Sequence, residues 1–332
     1  MVQLHTRART GKFISIYLES LKLDSILNFD LYVKLDGQLV LFRSAELPFT
    51  ERTKLKLIDK GVNILYIDGS SRSEFQRYLE TNLPEILADP DIPQLRKAGI
   101  LYETSKSLIE DVFSNPTYGE NIRRSEKLVN STISYLLQGR DAFLNLLRIT
   151  SYNYSIYSHS VNVCAYSLAL GQRLGVTSEK MQHELGIGAL LHDVGKSRVS
   201  ERILNKSGVL SPREFEIMKR HPRWGVEILR ETSQIPEISY LPVLEHHERE
   251  GGTGYPDSIG LQEMHLYSKI VAIVDCFDAM TTQRVYQNAM ESFAVLRVMN
   301  TKKNGFDLDV LREFIILLGP DEMIHESTTD IF

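Results

Sequence analysis

The sequence predicts a mostly α-helical protein with a small mixed α/β module near its N-terminal end. Apolar residues recur with helical spacing over most of the chain beyond residue 95, whereas residues 28–68 contain short alternating segments typical of strands. A chain of 332 residues is long enough for two domains with cores of their own. We predict a regulatory or docking module over 1–90, a helical connector over 91–150 and an all-helical domain over 151–332.

Three strands are predicted in the N-terminal module. Residues 28–35 alternate apolar and polar side chains, and the Asp36-Gly37 pair that follows is typical of a tight hairpin turn before a second strand over 38–43. The apolar segment over 62–68 predicts the third strand. No cluster of catalytic residue types is found in this part of the chain.

A single helix is predicted between the second and third strands, over residues 51–60. Thr50 can cap its first turn, and Gly61 stands where a left-handed residue commonly ends a helix. A proline-punctuated stretch over 83–94 predicts the boundary of the module. The helices predicted beyond it, over 95–150, could pack on the helical domain or form a dimer surface. Sequence alone leaves both open, although core packing is the commoner outcome.

The helical domain is predicted from periodicity and capping signals. Ser211-Pro212-Arg213-Glu214 is a capping box with proline at the first helical position, so a helix begins there, and we expect it to end around His221-Pro222. The other predicted helices cover 155–174, about 178–192, a short segment holding His246 and His247, 268–280, 291–302 and 307–318.

Composition excludes several classes of protein. A net charge of −5 provides no global field for binding DNA. No apolar run approaches the 18 or more residues that a membrane span needs, and the N-terminus lacks the apolar segment of a signal peptide. Cys164 and Cys276 lie in apolar helical patterns without metal or redox spacing, which predicts buried free thiols. We predict a cytoplasmic protein.

The motif LLHDVGK, Leu190 to Lys196, contains the first chemical signal. Adjacent helical residues diverge by roughly 100°, so His192 and Asp193 can converge on one point only where a helix ends. An imidazole beside a carboxylate suits a transition metal, and a carboxylate can bridge two ions. Lys196 could hold a phosphate as a point charge. A lone His-Asp pair is more often a surface hydrogen bond.

Further histidines strengthen the prediction of a metal site. Buried imidazoles need partners, and one metal centre would satisfy several together. Taken alone, His159 is more often a core residue and His221 a helix C-terminal cation, whereas the adjacent His246 and His247 rarely both find core partners. Asp275 completes the set.

The order H…HD…H…HH…D, together with HDVGK and HHEREGGTGYP, resembles the HD-GYP family of cyclic di-GMP phosphodiesterases. The resemblance covers residues 151–313, about half of the chain. It implies an all-helical HD-GYP catalytic domain with a centre of two metal ions, most commonly iron or manganese. In this family the N-terminal module is commonly a sensory or docking part.

The resemblance also implies ligands for both ions. His159, His192 and Asp275 would hold one ion, His221, His246 and His247 the other, and Asp193 would bridge them. Two ions about 3.5–4 Å apart can share a hydroxide that attacks phosphorus. With Asp193, Lys196 would be catalytic by holding a non-bridging oxygen. The further substrate contacts implied are Tyr255, in the Gly254-Tyr255-Pro256 loop, and Arg284.

The sequence departs from the family pattern at several positions. Ser155 stands where some members have a glutamate ligand for a third metal, which predicts two ions here. Gly251 replaces a common aspartate, Val285 follows Arg284 where proline is usual, and Gln287 replaces a common basic residue. Loss of a direct cation contact would weaken binding of a dianionic ligand by about 1–3 kcal/mol.

Three functions are therefore compared. The leading prediction is hydrolysis of cyclic di-GMP to pGpG, and on to GMP. The alternatives are a degenerate receptor that binds the dinucleotide with little turnover, and an HD phosphohydrolase of another cyclic dinucleotide, such as mixed cyclic GMP-AMP. The expected partners are the cyclic dinucleotide, a signalling protein that contacts the Gly-Tyr-Pro loop or the N-terminal module, and a second copy of the chain.

Overall fold

The computed structural model describes residues 13–150, 155–232, 235–282, 290–301 and 305–319. The chain divides into two compact units between Thr104 and Ser105. The predicted division at residues 90 and 150 stays a prediction.

The first unit contains a four-stranded antiparallel sheet in the order β1-β6-β3-β4 and a separate two-stranded pair, β2-β5. The strands are β1 Phe13–Tyr17, β2 Ser25–Ile26, β3 Leu31–Leu35, β4 Gln38–Arg43, β5 Pro48–Phe49 and β6 Ile64–Asp68.

The predicted hairpin is confirmed. Leu35 pairs with Gln38 across a two-residue turn. Asp36 has φ 47° and Gly37 has φ 82°, the pair of positive values that a type I′ turn requires. Strand β6 matches the predicted third strand, whereas β1, which pairs with it, was not predicted.

Two helices pack within this unit, and a third crosses its boundary: α1 Glu51–Ile58, α2 Arg72–Ala88 and α3 Gln94–Ser114. The predicted cap of α1 is confirmed, because the Thr50 side chain accepts a hydrogen bond from the Thr53 amide. Gly61 has φ 66°, as expected for a residue that follows a helix end. Helix α2 was not predicted, and it contains Pro84.

The described part of the second unit is helical. Its helices beyond α3 are α4 Gly119–Leu136, α5 Arg140–Thr150, α6 Ile156–Arg173, α7 Glu179–Leu190, α8 Glu201–Leu204, α9 Pro212–Met218, α10 His221–Thr232, α11 Tyr240–Glu245, α12 Leu266–Thr281, α13 Ser292–Met299 and α14 Leu308–Leu318. The predicted fold class, mostly α with a small α/β module, is confirmed.

Helix α6 lies at the centre of this unit, because every residue from Ser158 to Gly171 is buried. It packs against α7 and α12. Helix α10 packs against α11 and against a 3₁₀ turn, Val194–Arg198, that follows α7. These contacts bring the ends of α7, α10 and α11 towards the buried faces of α6 and α12.

One predicted helix boundary was wrong. The capping box at Ser211 and Glu214 is confirmed, but its helix, α9, ends at Met218 instead of near His221. His221 instead begins α10, and Pro222 is its second residue. Proline is tolerated in the first turn of a helix because the amide it lacks has no partner within the helix.

Among the described residues, no helix is long and apolar enough to cross a membrane.

Candidate metal centre

The His-Asp pair lies where α7 ends, as the motif predicts. Leu190 is the last residue of the helix, and the chain turns at His192 and Asp193 into the 3₁₀ turn. Both side chains are fully buried. The end of the helix therefore allows two adjacent side chains to face one cavity.

Seven side chains converge around this point in two groups. Within each group, the potential ligand atoms all lie within 4.8 Å of one another. We call His159, His192 and Asp275 the first ligand group, and His221, His246 and His247 the second ligand group, to which Asp193 also belongs. All seven residues were predicted as metal ligands from the sequence.

Asp193 lies between the two groups, and each of its oxygens faces one of them. Its Oδ2 lies 3.5 Å from Nε2 of His192 and 3.9 Å from Nε2 of His159. Its Oδ1 lies 3.3 Å from Nε2 of His221 and 3.8 Å from Nε2 of His246. One carboxylate can therefore serve both groups.

Backbone carbonyls orient three of the imidazoles. Nδ1 of His192 lies 2.8 Å from the carbonyl oxygen of Ala189, and Nδ1 of His221 lies 2.8 Å from that of Met218. Nδ1 of His246 lies 2.9 Å from the carbonyl oxygen of Pro242. A carbonyl oxygen can only accept a hydrogen bond, so each ring carries its hydrogen on Nδ1 and leaves Nε2 free to coordinate.

His159 is held by carboxylates on both sides. Its Nε2 lies 3.0 Å from Oδ1 of Asp275, and its Nδ1 lies 2.7 Å from Oδ2 of Asp278. Asp278 was not predicted as a site residue. It stands three positions after Asp275, and this i, i+3 spacing on a helix was the available signal.

Burial and charge set the protonation of these groups in opposite ways. Burial lowers the pKa of His246 and His247 well below the usual value, and it lowers that of His221. Burial alone would also lower the pKa of His159, but hydrogen bonds to Asp275 and Asp278 outweigh it and raise that pKa to about 9. The three histidines of the second ligand group are therefore neutral imidazoles, the form that binds metals.

The two carboxylates that face the centre are ionised. Burial would raise the pKa of Asp193, but Lys196 and His192 bring it well below the usual value. Burial acts on Asp275 in the same way, and its hydrogen bond with His159, together with the positive charge of that ring, lowers its pKa well below the usual value. Both are therefore available as anionic ligands.

Lys196 lies directly beside the bridging position, where its ammonium contacts Oδ2 of Asp193. The side chain is 19% exposed, so it reaches the centre while keeping access to the surface. This placement is compatible with the predicted contact to a substrate phosphate.

Gly195 permits the close approach of the 3₁₀ turn to helix α10. A Cβ on Gly195 would lie 2.0 Å from the carbonyl oxygen of His221 and 2.5 Å from the amide nitrogen of Gly225. Any side chain would therefore separate His192 and Asp193 from His221. The glycine in HDVGK brings the two ligand groups together.

The Gly-Tyr-Pro loop packs against the second ligand group. The ring of Tyr255 stacks on that of His247, with centroids 4.6 Å apart and an interplanar angle of 27°. A Cβ on Gly254 would lie 2.4 Å from the carbonyl oxygen of His247, so the loop follows the backbone closely. The loop is therefore packed against the second ligand group, whereas a plain surface turn would be exposed to solvent.

Glu248 anchors the same loop and was not predicted. It is 1% exposed, and its Oε1 accepts hydrogen bonds from the amides of Asp257 at 2.6 Å and Ser258 at 3.0 Å. Its position directly after His246-His247 was a weak signal, because a glutamate there would usually be solvated.

Several predicted positions are not part of this geometry. Arg284 and Gln287 lie outside the described residues, as does Val285. Ser155, at the position of the third-metal glutamate, caps helix α6 through a reciprocal hydrogen-bonded box with Ser158. Cys164 is buried and Cys276 is half-buried, and both are free thiols.

The unpaired atoms of the centre fit a metal. Nε2 of His192 and Oδ1 of Asp193 are buried and have no hydrogen-bond partner among the described residues. Buried polar atoms are costly unless they are satisfied. Imidazole nitrogens and carboxylate oxygens at this density are the donor set of a transition metal site.

Comparison with known proteins identifies related chains. The family model described as HD domain matches residues 144–310, about half of the chain. A cyclic di-GMP phosphodiesterase of Pseudomonas aeruginosa is 32% identical over 228 residues, covering 68% of this chain and 55% of the relative. One of Thermotoga maritima is 41% identical over 133 residues, covering 40% of this chain and 36% of the relative. The chain thus spans about half or less of these relatives.

A solved structure shows the same fold. An HDG"Y"P protein from Bdellovibrio bacteriovorus has a TM-score of 0.66 and 22% identity to this chain, and the match covers 93% of this chain and 100% of that protein.

The chain belongs to the HD domain family. Within that family it is an HD-GYP protein, as the His192-Asp193 pair and the Gly254-Tyr255-Pro256 loop predicted. An HD domain implies dependence on a divalent metal, and the cluster described above could bind it.

Proposed function

We propose that this protein is a metal-dependent phosphodiesterase that hydrolyses cyclic di-GMP. The observation that carries the proposal is the position of Asp193, whose two oxygens face two separate groups of ligands at 3.3–3.9 Å. A carboxylate between two ligand groups is the arrangement that a two-ion hydrolytic site requires.

The first ligand group and Asp193 would hold one ion, and the second ligand group and Asp193 would hold the other. Iron or manganese is the proposed metal, because both accept imidazole and carboxylate ligands together. When bound, the two ions supply a nucleophilic water at neutral pH and neutralise charge that develops at phosphorus.

The residues of the chain around the ions bind and orient the phosphate. Lys196 presents its ammonium next to Asp193, where it can stabilise a non-bridging phosphate oxygen as negative charge grows there. Burial raises the pKa of Tyr255, so its hydroxyl stays protonated and can donate to a phosphate or a base. The stack on His247 fixes the direction of that hydroxyl.

Support for the substrate comes from the relatives that are named cyclic di-GMP phosphodiesterases. The proposed product is linear pGpG, which a second hydrolysis would convert to GMP. None of the described residues establishes a preference for guanine over adenine, and the proposed contact from Arg284 lies outside them. A signalling partner and a homodimer stay predictions.

The experiment is a time course with protein loaded anaerobically with iron or manganese. Cyclic di-GMP and mixed cyclic GMP-AMP are supplied separately, and products are separated by chromatography. We expect metal-dependent formation of pGpG that is faster than cleavage of the mixed dinucleotide. The reverse preference would contradict the proposed substrate.

Binding of cyclic di-GMP without any product would instead favour the receptor function. One observation keeps that function as the second candidate: Ser155 caps α6 where some family members supply a carboxylate ligand. The Lys196→Met variant separates the two functions. An enzyme should lose turnover by roughly 100-fold or more when a phosphate-stabilising group is removed, whereas a receptor has no turnover to lose.

A further inference from the structure

The two ligand groups differ in what lies behind their imidazoles. In the second group, the Nδ1 atoms of His221 and His246 face backbone carbonyls, and His247 stacks on Tyr255. In the first group, His192 also faces a carbonyl, but His159 faces the carboxylate of Asp278.

Asp278 is bonded through both of its oxygens. Oδ2 lies 2.7 Å from Nδ1 of His159, and Oδ1 accepts a hydrogen bond of 2.7 Å from Nδ2 of Asn162. Its side chain is 3% exposed. His159 and Asn162 are one turn apart on α6, so the carboxylate of α12 spans both positions and fixes the ring relative to Asp275 on its own helix.

A carboxylate in this position does two things that a carbonyl does less well. It accepts the Nδ1 hydrogen of the ring, so that Nε2 is the nitrogen that coordinates once an ion displaces the hydrogen there. Its negative charge also makes that nitrogen a stronger donor to a cation.

The charge around the two ligand groups also differs, and the first group is the more negative one. Beyond the shared Asp193, the first group contains Asp275 as a ligand and Asp278 behind His159, whereas the second contains three imidazoles. The ammonium of Lys196 pairs with Oδ2 of Asp193 and offsets one negative charge on the first side. Asp275 and Asp278 remain in excess there, and the hydrogen that Nε2 of His159 shares with Asp275 is released when an ion binds. A divalent cation is therefore attracted more strongly to the first group.

We propose that Asp278 is a positioning residue that makes the first ligand group the tighter of two inequivalent metal positions, so that it fills before the second. This inference rests on the proposed function, because it assumes that both groups hold ions. It goes further by assigning an order of binding and a role to a residue that coordinates no metal.

The test is a titration of metal-free protein with Mn²⁺, in which electron paramagnetic resonance measures free Mn²⁺ after each addition. Wild-type protein should bind two ions in two classes, the first at least tenfold tighter. His247→Ala should lose the weak class and keep the tight one. Asp278→Asn should weaken the tight class by roughly 10–100-fold, the usual cost of losing such a partner.

Asn is an informative replacement because it keeps the shape of the side chain. In Asn an NH2 group, which only donates, replaces one of the two oxygens, so the side chain cannot accept at both the His159 and the Asn162 positions as the carboxylate does. Asp307→Asn is the matched control: Asp307 caps α14 and pairs with Lys269 at 3.1 Å, so the same change of charge there should leave both classes as in wild type.

The possible negative results of this titration overturn different parts of the proposal. No binding of Mn²⁺ by wild-type protein would overturn the proposed metal centre itself. Two ions bound with equal affinity by wild-type protein would overturn only the inequivalence of the two positions. So would a dissociation constant of the tight class in Asp278→Asn that lies within threefold of the constant in Asp307→Asn.

A second measurement does not depend on the folding of any variant. Wild-type protein with ¹⁵N-labelled histidine receives one equivalent of Zn²⁺ and is observed by NMR. The Nε2 signals of His159 and His192 should shift, while those of the second ligand group stay unchanged. Shifts confined to the second group would contradict the proposal.

Discussion

At the scale of single residues, the centre depends on positions that hold no metal. Gly195 has no side chain, and the backbone of α10 occupies the space that a Cβ would need. Asp278 and Glu248 are buried carboxylates whose partners are a ligand histidine and the loop amides. Asp278 orients a potential ligand, Glu248 orients the loop that holds Tyr255, and Gly195 allows the two ligand groups to approach each other.

Gly195→Ala should destabilise the second unit by about 1–3 kcal/mol, since overpacking in a closed site has this cost. It should also weaken metal binding, because the added methyl group pushes His221 away from Asp193. Denaturant unfolding followed by the fluorescence of Trp224, the only tryptophan of the chain, measures the first effect. Gly260→Ala is the control, since nothing lies within 4 Å of a Cβ there. Equal stability of the two variants would contradict this role of Gly195.

Cys164 should be unreactive in the folded protein. Burial raises the pKa of its thiol to about 12, so the reactive thiolate is scarce below that pH and access is blocked as well. Alkylation by iodoacetamide at pH 8, located by peptide mass spectrometry, should modify Cys164 only after unfolding. Rapid modification of Cys164 in native protein would show that α6 is not buried as described.

The sequence predicted the seven potential ligands because their order along the chain matches a family motif. It could not predict Asp278, whose role depends on α12 packing beside α6, a contact between residues more than a hundred positions apart. Glu248 was missed for a similar reason. Its partners are amides that approach only after the Gly-Tyr-Pro loop folds back on residues 247–249.

At the scale of elements, helix ends supply most of the potential ligands. His192 and Asp193 follow α7, His221 begins α10, and His246 and His247 follow α11. Only His159 and Asp275 come from within helices, α6 and α12, and His159 contacts both Asp275 and Asp278 across that packing. Ends of helices allow adjacent residues to converge, which the interior of a helix does not.

The loop that carries Tyr255 should depend on the buried carboxylate of Glu248. Glu248→Ala removes the acceptor for the amides of Asp257 and Ser258, and hydrogen exchange over residues 250–260 should accelerate by roughly tenfold or more, as loss of a buried charged acceptor costs about 1–3 kcal/mol. Glu248→Gln is the control, because it keeps an acceptor oxygen. Exchange that is unchanged in the Ala variant would refute this anchoring.

Helix boundaries were predicted less well than helix existence. Pro222 was interpreted as the end of a helix, yet it lies in the first turn of α10, where its missing amide costs nothing. Pro84 lies inside α2, where burial of Leu79, Leu83 and Leu87 offsets the lost hydrogen bond. For Pro222 the local backbone rule allows either a helix end or a helix start, and for Pro84 the outcome depends on tertiary packing, which a single sequence does not show.

At the scale of the molecule, the fold class was predicted because helical periodicity dominates the chain and one hairpin signal is strong. The proposed metal ligands come from α6, α7, α10, α11 and α12 or their ends, so bound ions would cross-link five helices of the second unit.

Removal of metal should therefore destabilise the second unit. An ion present at 100 times its dissociation constant stabilises the folded state by about 2.7 kcal/mol. A domain of this size gains about 2–4 °C per kcal/mol, so chelation by EDTA should lower the thermal midpoint by about 5–11 °C. Trp224 lies on α10, so its fluorescence reports this unit alone. A midpoint unaffected by EDTA in metal-loaded protein would contradict the cross-linking.

The most direct test of the central claim is the metal content of the Asp193→Ala variant. Asp193 is the one residue proposed to bind both ions, because each of its oxygens faces a different ligand group. Elemental analysis of protein purified anaerobically should give about two ions per chain for wild type and almost none for the folded variant. Retention of both ions by the variant would contradict a centre bridged by Asp193.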